Sequence, residues 1–223
     1  MKSAALVVLS GGQDSTTCLY WALREFGLGQ VSALTFDYGQ RHRIELDCAR
    51  KVAATASVPH AILPIDTFAA LGGNALTDAT IGVEATTDGL PNTFVPGRNI
   101  IFLSFAAAFA YQRGIENIVT GVAQTDYSGY PDCREETIAA LQRTINLGME
   151  TGITMHTPLM HLSKKETVEL ARDLGALAAM ADTHSCYQGQ RPPCGECAAC
   201  RLRAKGFAEA GIADPLVVRY AVS

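Results

Sequence analysis

Residues 10–18 read Ser-Gly-Gly-Gln-Asp-Ser-Thr-Thr-Cys: two adjacent glycines set among four hydroxyl side chains and one carboxylate. They follow the apolar run 4–9 and open a helical pattern, so the spacing predicts a strand, a glycine turn and a helix N-terminus. Such a turn can cradle an anion. Glycines let the backbone approach closely, and the first helical turn offers unpaired N–H groups at the positive end of the helix dipole. The cradle comprises Leu9, Ser10, Gly11, Gly12, Gln13, Asp14, Ser15, Thr16, Thr17, Cys18 and Leu19, with Ser10, Ser15, Thr16 and Thr17 as hydroxyl donors. A Walker loop would carry a lysine before its hydroxyl pair, whereas Asp14 precedes Ser15 here, so the loop is of another kind. An ordinary glycine turn with an Asp or Ser helix cap is the plainer alternative, and the density of hydroxyls favours phosphate.

The second chemical cluster is Cys186, Cys194, Cys197 and Cys200. The last three are spaced as in metal knuckles, and four sulfurs around one tetrahedral ion leave no open position, which points to structural Zn²⁺. An iron–sulfur cluster can use the same spacing and is the rival. Of the chain's 7 cysteines, Cys18, Cys48 and Cys133 are scattered, a distribution that suits metal binding better than a disulfide framework.

These residues need elements to hold them. The 223 residues suffice for one α/β domain with a small appendage, expected as a core over 1–180 and a zinc-binding segment over 181–223. Lys+Arg 18 against Asp+Glu 22, with no basic run, disfavours extended nucleic-acid binding. No apolar run has the length of a signal or membrane-spanning segment, so the expectation is a soluble cytoplasmic protein with no membrane partner.

Strands are predicted at 4–9, 31–36, 60–64, 117–121 and 153–157, alternating with helical patterns as in a parallel sheet with crossover helices. Asp37 to His42 would lie at the carboxyl edge of that sheet, where open α/β folds bind ligands. Arg41, His42 and Arg43 begin a helix at the end where cations oppose the dipole, so they are candidates for an anionic ligand. Residues 66–97, rich in Gly, Thr, Asn and Asp, read as an excursion that folds over the site as a lid. Arg98 then stands at the sheet edge, suited to bidentate contact with phosphate or carboxylate, while Asn99 reads as the cap of a buried central helix over 100–111. In the loop after the fourth strand, Asp126, Tyr127 and Tyr130 offer phenols and a carboxylate for a flat heterocycle, and Asp132 with Glu135 matches a capping pair. Ser163 and Glu166 form a capping box, and Lys164 within it opposes the dipole, which makes it a candidate for phosphate contact, with a free surface lysine as the plain alternative. His42, His156 and His161 are possible bases, though histidines near strand ends are more often structural.

The run Ser-Gly-Gly-x-Asp-Ser resembles the pyrophosphate loop of ATP-pyrophosphatases. Together with TFDYGQRH, FVPGRN, TDYSGYPDCR, HTPLM and the C-terminal cysteines, it resembles the 7-cyano-7-deazaguanine synthase family of queuosine precursor biosynthesis over nearly the full length. The resemblance implies a Rossmann-like parallel five-stranded sheet flanked by helices, as in the adenine nucleotide alpha hydrolases, with a C-terminal zinc-binding helical segment. It implies ATP-dependent conversion of 7-carboxy-7-deazaguanine and ammonium to the 7-cyano compound, with Mg²⁺ and one structural Zn²⁺ per chain. Asp14, Ser15, Arg98 and Lys164 would then be catalytic, and Arg41, Arg98, Asp126, Tyr127, Tyr130, Asp132 and Arg134 would bind substrate. A homodimer is a possible assembly. Two other readings stay open: a tRNA-thiolating or other adenylating ATP-pyrophosphatase, and a zinc-stabilised nucleotide-binding or interaction module without catalysis.

Overall fold

A computed structural model describes residues 3–40, 43–65, 67, 75–76, 92–124 and 130–221. Strand β1 (Ala5–Val8) leads through the glycine turn into α1 (Gln13–Phe26), followed by β2 (Val31–Asp37), α2 (Ile44–Thr55) and β3 (His60–Pro64). After the excursion come α3 (Arg98–Tyr111), β4 (Asn117–Val119), α4 (Glu135–Met149) and β5 (Thr154–His156). The chain ends in α5 (Lys164–Asp173), α6 (Leu177–Met180), α7 (Ala198–Glu209) and α8 (Pro215–Ala221). All pairings are parallel, in the order β3-β2-β1-β4-β5, with Ala5 opposite Val31 on one side and Asn117 on the other.

That order has a physical cause and a consequence. Ala5, Leu6 and Val7 are fully buried, as a central strand covered on both faces requires. Leu6 packs with α3 and α4 through Leu103, Ala107, Ile138 and Ile145, while Val7 and Leu9 pack with α1 and α2 through Leu19, Ala22 and Val52. The chain turns from one direction across the sheet to the other between β1 and β4. A crevice therefore opens beyond their carboxyl ends, where α1 begins.

The five expected strands are present, each within a residue or two of its expected bounds. The excursion over 66–97 falls largely outside the described residues. Three expectations about helix ends and faces are overturned. The helix after the excursion begins at Arg98, not after Asn99: Gly97, in the left-handed region at φ +70°, occupies the cap position, and no side chain caps it there. Asp132 does not cap α4, whose cap position is Arg134; its Oδ2 instead accepts from the Asn99 N–H at 2.9 Å, so it satisfies the first turn of α3 from a different loop. Finally, α3 is not buried all round, since Ile100, Phe105 and Tyr111 are exposed.

Candidate active site

The phosphate loop is braced from within. The Ser10 N–H donates to Ser15 Oγ at 3.1 Å, and the Ser15 hydroxyl lies 3.0 Å from that of Ser10 and 3.2 Å from the Gly12 carbonyl. Thr16 and Thr17 are fully buried and turn their hydroxyls back onto the carbonyls of Gly12 and Gln13 at 2.8 and 3.0 Å. In this structure they brace the helix start. Gly11 has φ +86°, and a Cβ there would stand 2.3 Å from the Glu45 carbonyl, so it is glycine because α2 packs on the turn. Gly121, beyond β4, approaches on the other side, where a Cβ would lie 3.1 Å from Ser15 N.

Into this cradle α5 brings the cation that the loop's own sequence lacks. Lys164 Nζ lies 2.6 Å from Asp14 Oδ2 in a partly buried pair. The capping box that starts α5 is formed as expected, with Ser163 Oγ accepting from Glu166 N and Glu166 accepting from Ser163 N. Asp14 Oδ1 and Gln13 Nε2 are buried and meet no hydrogen-bond partner among the described residues. A buried carboxylate oxygen with no donor is what a cation ligand looks like before its ion binds.

The cleft above the loop has a volume of about 320 Å³ and is shared by both faces of the sheet. Arg98 heads α3 on the far face from α1, and its guanidinium carbon sits 5.9 Å from the centre of the Tyr38 ring. Tyr130 is buried, bonded to Thr93 Oγ1 at 2.6 Å and packed on Phe94 at 5.6 Å between centroids. Burial pushes the Tyr38 hydroxyl up to about 12, against the pull of Arg98, so it stays a neutral donor. Glu45, at the start of α2, also lines the cleft, and burial raises its carboxyl to about 7 although Arg98 opposes the shift.

Of the substrate residues expected from sequence, Arg98 and Tyr130 reach this cleft. Asp132 is buried against α3 and Arg134 is exposed, so neither lines it. Arg41, His42, Asp126 and Tyr127 lie outside the described residues. His156 packs on Trp21 and Phe26 and bonds Asn117 Oδ1 at 2.9 Å, while His161 pairs with Glu135 at 3.4 Å, and neither lines the cleft. Tyr38, Glu45, His184 and Tyr187 do line it and were not singled out from sequence. Tyr38 and Glu45 flank the RHR run after β2, and Tyr187 adjoins a cysteine of the C-terminal cluster, which were the available signals.

The four cysteine Sγ atoms lie within 4.8 Å of one another. Cys194 Sγ is 3.8 Å from Cys200 Sγ, about the edge of a tetrahedron with ~2.3 Å Zn–S bonds. Cys194 N donates to Cys186 Sγ and Cys197 N to Cys194 Sγ, the kind of second layer that orients thiolate ligands. Hydrogen bonds from the Cys200 thiol and from the backbone of Cys200 and Tyr187 hold the Cys197 thiol well below its usual range. The donor set thus fits zinc. The segment carrying it joins the loop directly, through His184 N donating to the Gly11 carbonyl at 2.9 Å.

The family model described as queuosine biosynthesis protein QueC matches residues 4–211. The chain belongs to that family. It is 70% identical over 218 residues to the 7-cyano-7-deazaguanine synthase of Chromobacterium violaceum, covering 96% of this chain and 93% of the relative. It is 51% identical over 212 residues to the synthase of that name from Clostridium acetobutylicum, covering 93% and 95%. Among solved structures, a predicted tRNA methyltransferase subunit from Methanocaldococcus jannaschii superimposes with TM-score 0.51 at 18% identity, over 76% of this chain and 74% of that one. A 4-thiouridine synthetase solved with RNA and ATP gives 0.51 at 17% identity, over 98% and 53%. These two likenesses concern the fold. Among the described residues no helix is long and apolar enough to cross a membrane.

Proposed function

We propose that this QueC-family ligase of queuosine biosynthesis makes 7-cyano-7-deazaguanine by activating one carboxyl carbon twice in the same cleft. The observation that carries this reading is the closure of Lys164 on Asp14 over the glycine turn, with Arg98 across the same cleft. The turn and Lys164 suit a departing pyrophosphate. Arg98 suits the carboxylate of 7-carboxy-7-deazaguanine, and the tyrosines suit its planar ring.

A carboxylate is a poor acyl donor because it would have to expel oxide. Its attack on the α-phosphate of ATP expels pyrophosphate and leaves an acyl-adenylate, from which ammonia displaces AMP to give the amide. The amide oxygen then attacks the α-phosphate of a second ATP and expels pyrophosphate, and loss of AMP and both N–H protons leaves the nitrile. Loop N–H groups and the Ser10 and Ser15 hydroxyls bind the pyrophosphate oxygens, and Lys164 neutralises the charge that builds on them. Asp14 Oδ1 would hold Mg²⁺, which supplies further charge neutralisation on the phosphates. Nothing in this scheme needs a nucleic acid, and the net charge of −4 with no basic run supports a small-molecule substrate.

The test supplies the synthetic 7-amido compound with ATP and Mg²⁺ and no ammonium. Nitrile should appear with one AMP and one pyrophosphate per turnover, whereas the acid without ammonium should give none. ADP accumulating in step with nitrile, or an amide inert where the acid reacts, overturns the two-activation scheme.

A further inference from the structure

Tyr187 directly follows Cys186 in a segment fastened at both ends. On one side His184 N donates to the carbonyl of Gly11 in the phosphate loop. On the other, Cys186 belongs to the four-cysteine cluster, its Sγ accepting from Cys194 N, and the backbone of Tyr187 lies beside the sulfur of Cys197 in the same cluster. Between these anchors the Tyr187 side chain lines the cleft, half-buried, as do Tyr130 and Arg98, whose hydroxyl and guanidinium are its electrostatic neighbours. Tyr130 is in turn fixed by Thr93. A chain of neighbouring groups therefore runs from the cysteine cluster through Tyr187 to the group placed here on the substrate's carboxylate. Nothing about metal binding requires an aromatic side chain at this position, and nothing about the phosphate loop does.

We propose that Tyr187 forms a wall of the subsite for the planar heteroaromatic acid, stacking on its ring while Arg98 holds its carboxylate, and that the cysteine-bound metal anchors this wall. The inference rests on the reading of the substrate given above. It places the stacking surface on the α3 side of the cleft, apart from the loop and Lys164, so loss of the ring should weaken the acid and spare the nucleotide. The metal acts here through the backbone of residue 187 and not on the reacting atoms. Tyr187 touches the acid; the four cysteines position it.

The measurement is equilibrium binding by calorimetry, on the full zinc-loaded chain, of 7-carboxy-7-deazaguanine and, separately, of α,β-methylene-ATP with Mg²⁺. Tyr187→Ala should weaken the acid about tenfold or more, as expected for loss of one base–aromatic stack. Its affinity for the nucleotide analogue should change less than about twofold, with metal content unchanged. Tyr187→Phe, which keeps the ring and loses only the hydroxyl, should stay near wild type for both ligands. If Tyr187→Ala does not fold, Tyr187→Leu, bulky without a planar face, is read by the same criterion. With Co²⁺ in the cysteine cluster, saturating acid should shift the thiolate-to-cobalt bands of the wild type and leave those of the alanine variant in place.

A wild-type protein that binds no acid defeats the reading of the substrate. A wild type that binds it, with an alanine variant that binds equally well or loses nucleotide in parallel, defeats the assignment of Tyr187. Acid binding that leaves the cobalt bands unmoved defeats the anchoring by metal.

Discussion

Glu45 opens α2 with a carboxylate beside the positive end of the helix dipole, a placement that ordinarily favours ionisation. At the cleft wall burial outweighs the dipole and the nearby Arg98, and the carboxyl is raised from 4.5 to about 7, with Tyr38 and Cys48 as its other titratable neighbours. The folded protein therefore keeps a proton that the unfolded chain has already released in this interval. Stability falls as pH rises from about 4.5 to about 7, and the loss is complete above it. Glu45→Gln, which mimics the protonated form, should melt at a higher temperature than wild type at pH 8 and at about the same temperature at pH 4.5. A difference in Tm that does not vary with pH would show that Glu45 ionises freely. Sequence reading passed over Glu45 because an acidic first turn is what a helix wants anyway. Lys164 stood out for the opposite reason, since a lysine there is electrostatically misplaced, yet its partner Asp14 is 150 residues away and no spacing points to it.

Elements were legible where local pattern decides them. The apolar runs of β1 and β2, the glycine after α1 and the Ser163–Glu166 box all declare themselves within a few residues. What escaped was arranged through space: Asp132 satisfies α3 from 33 residues away, and α7 crosses α5 where Gly206 meets Lys164. That crossing is testable. A Cβ on Gly206 would lie 2.9 Å from Lys164 Cβ and 3.0 Å from its carbonyl oxygen, so one helix must shift. Two effects then compete in Gly206→Ala. Helix propensity favours alanine by about 1 kcal/mol, and overpacking a close crossing costs about 1–3 kcal/mol. Overpacking should win, with a lower Tm. Because the displaced residue is Lys164, kcat should also fall toward that of Lys164→Ala, itself expected to be down about a hundredfold as for loss of one transition-state donor. A Gly206→Ala protein with a raised Tm and normal kcat would show that the crossing yields without moving the lysine.

At the scale of the whole molecule, the chain builds its sheet on two apolar clusters of its own and its C-terminal end on much less. The clusters around Leu6 and Val7 draw on β1 to β5 and α1 to α4, with Leu170 of α5 at the rim of one. Beyond them lie a small group around Met180 and Phe207 and the four cysteines. Contacts that hold this end to the core include His184 to Gly11, Gly206 against Lys164 and Arg191 to Cys48 Sγ, and the end is braced within itself by the buried pair of Arg203 with Asp214, in which Arg203 also donates to Thr183 Oγ1 and the Met180 carbonyl. Structural zinc contributes about 10–16 kcal/mol to small domains, comparable with the whole stability of a typical one at about 5–15 kcal/mol. A sheet with its own apolar core should persist without that term, whereas the C-terminal segment should not. Purified protein should therefore carry about one zinc per chain, and Cys197→Ser should lose it. The variant should melt in two steps, with protease cutting first within residues 184–221 while the sheet persists. Acid binding should go with the first step, because Tyr187 leaves the cleft when its anchor does. One cooperative transition in the metal-free protein would show that core and segment fold as a unit, and iron with labile sulfide in place of zinc would assign the cysteines to a cluster instead.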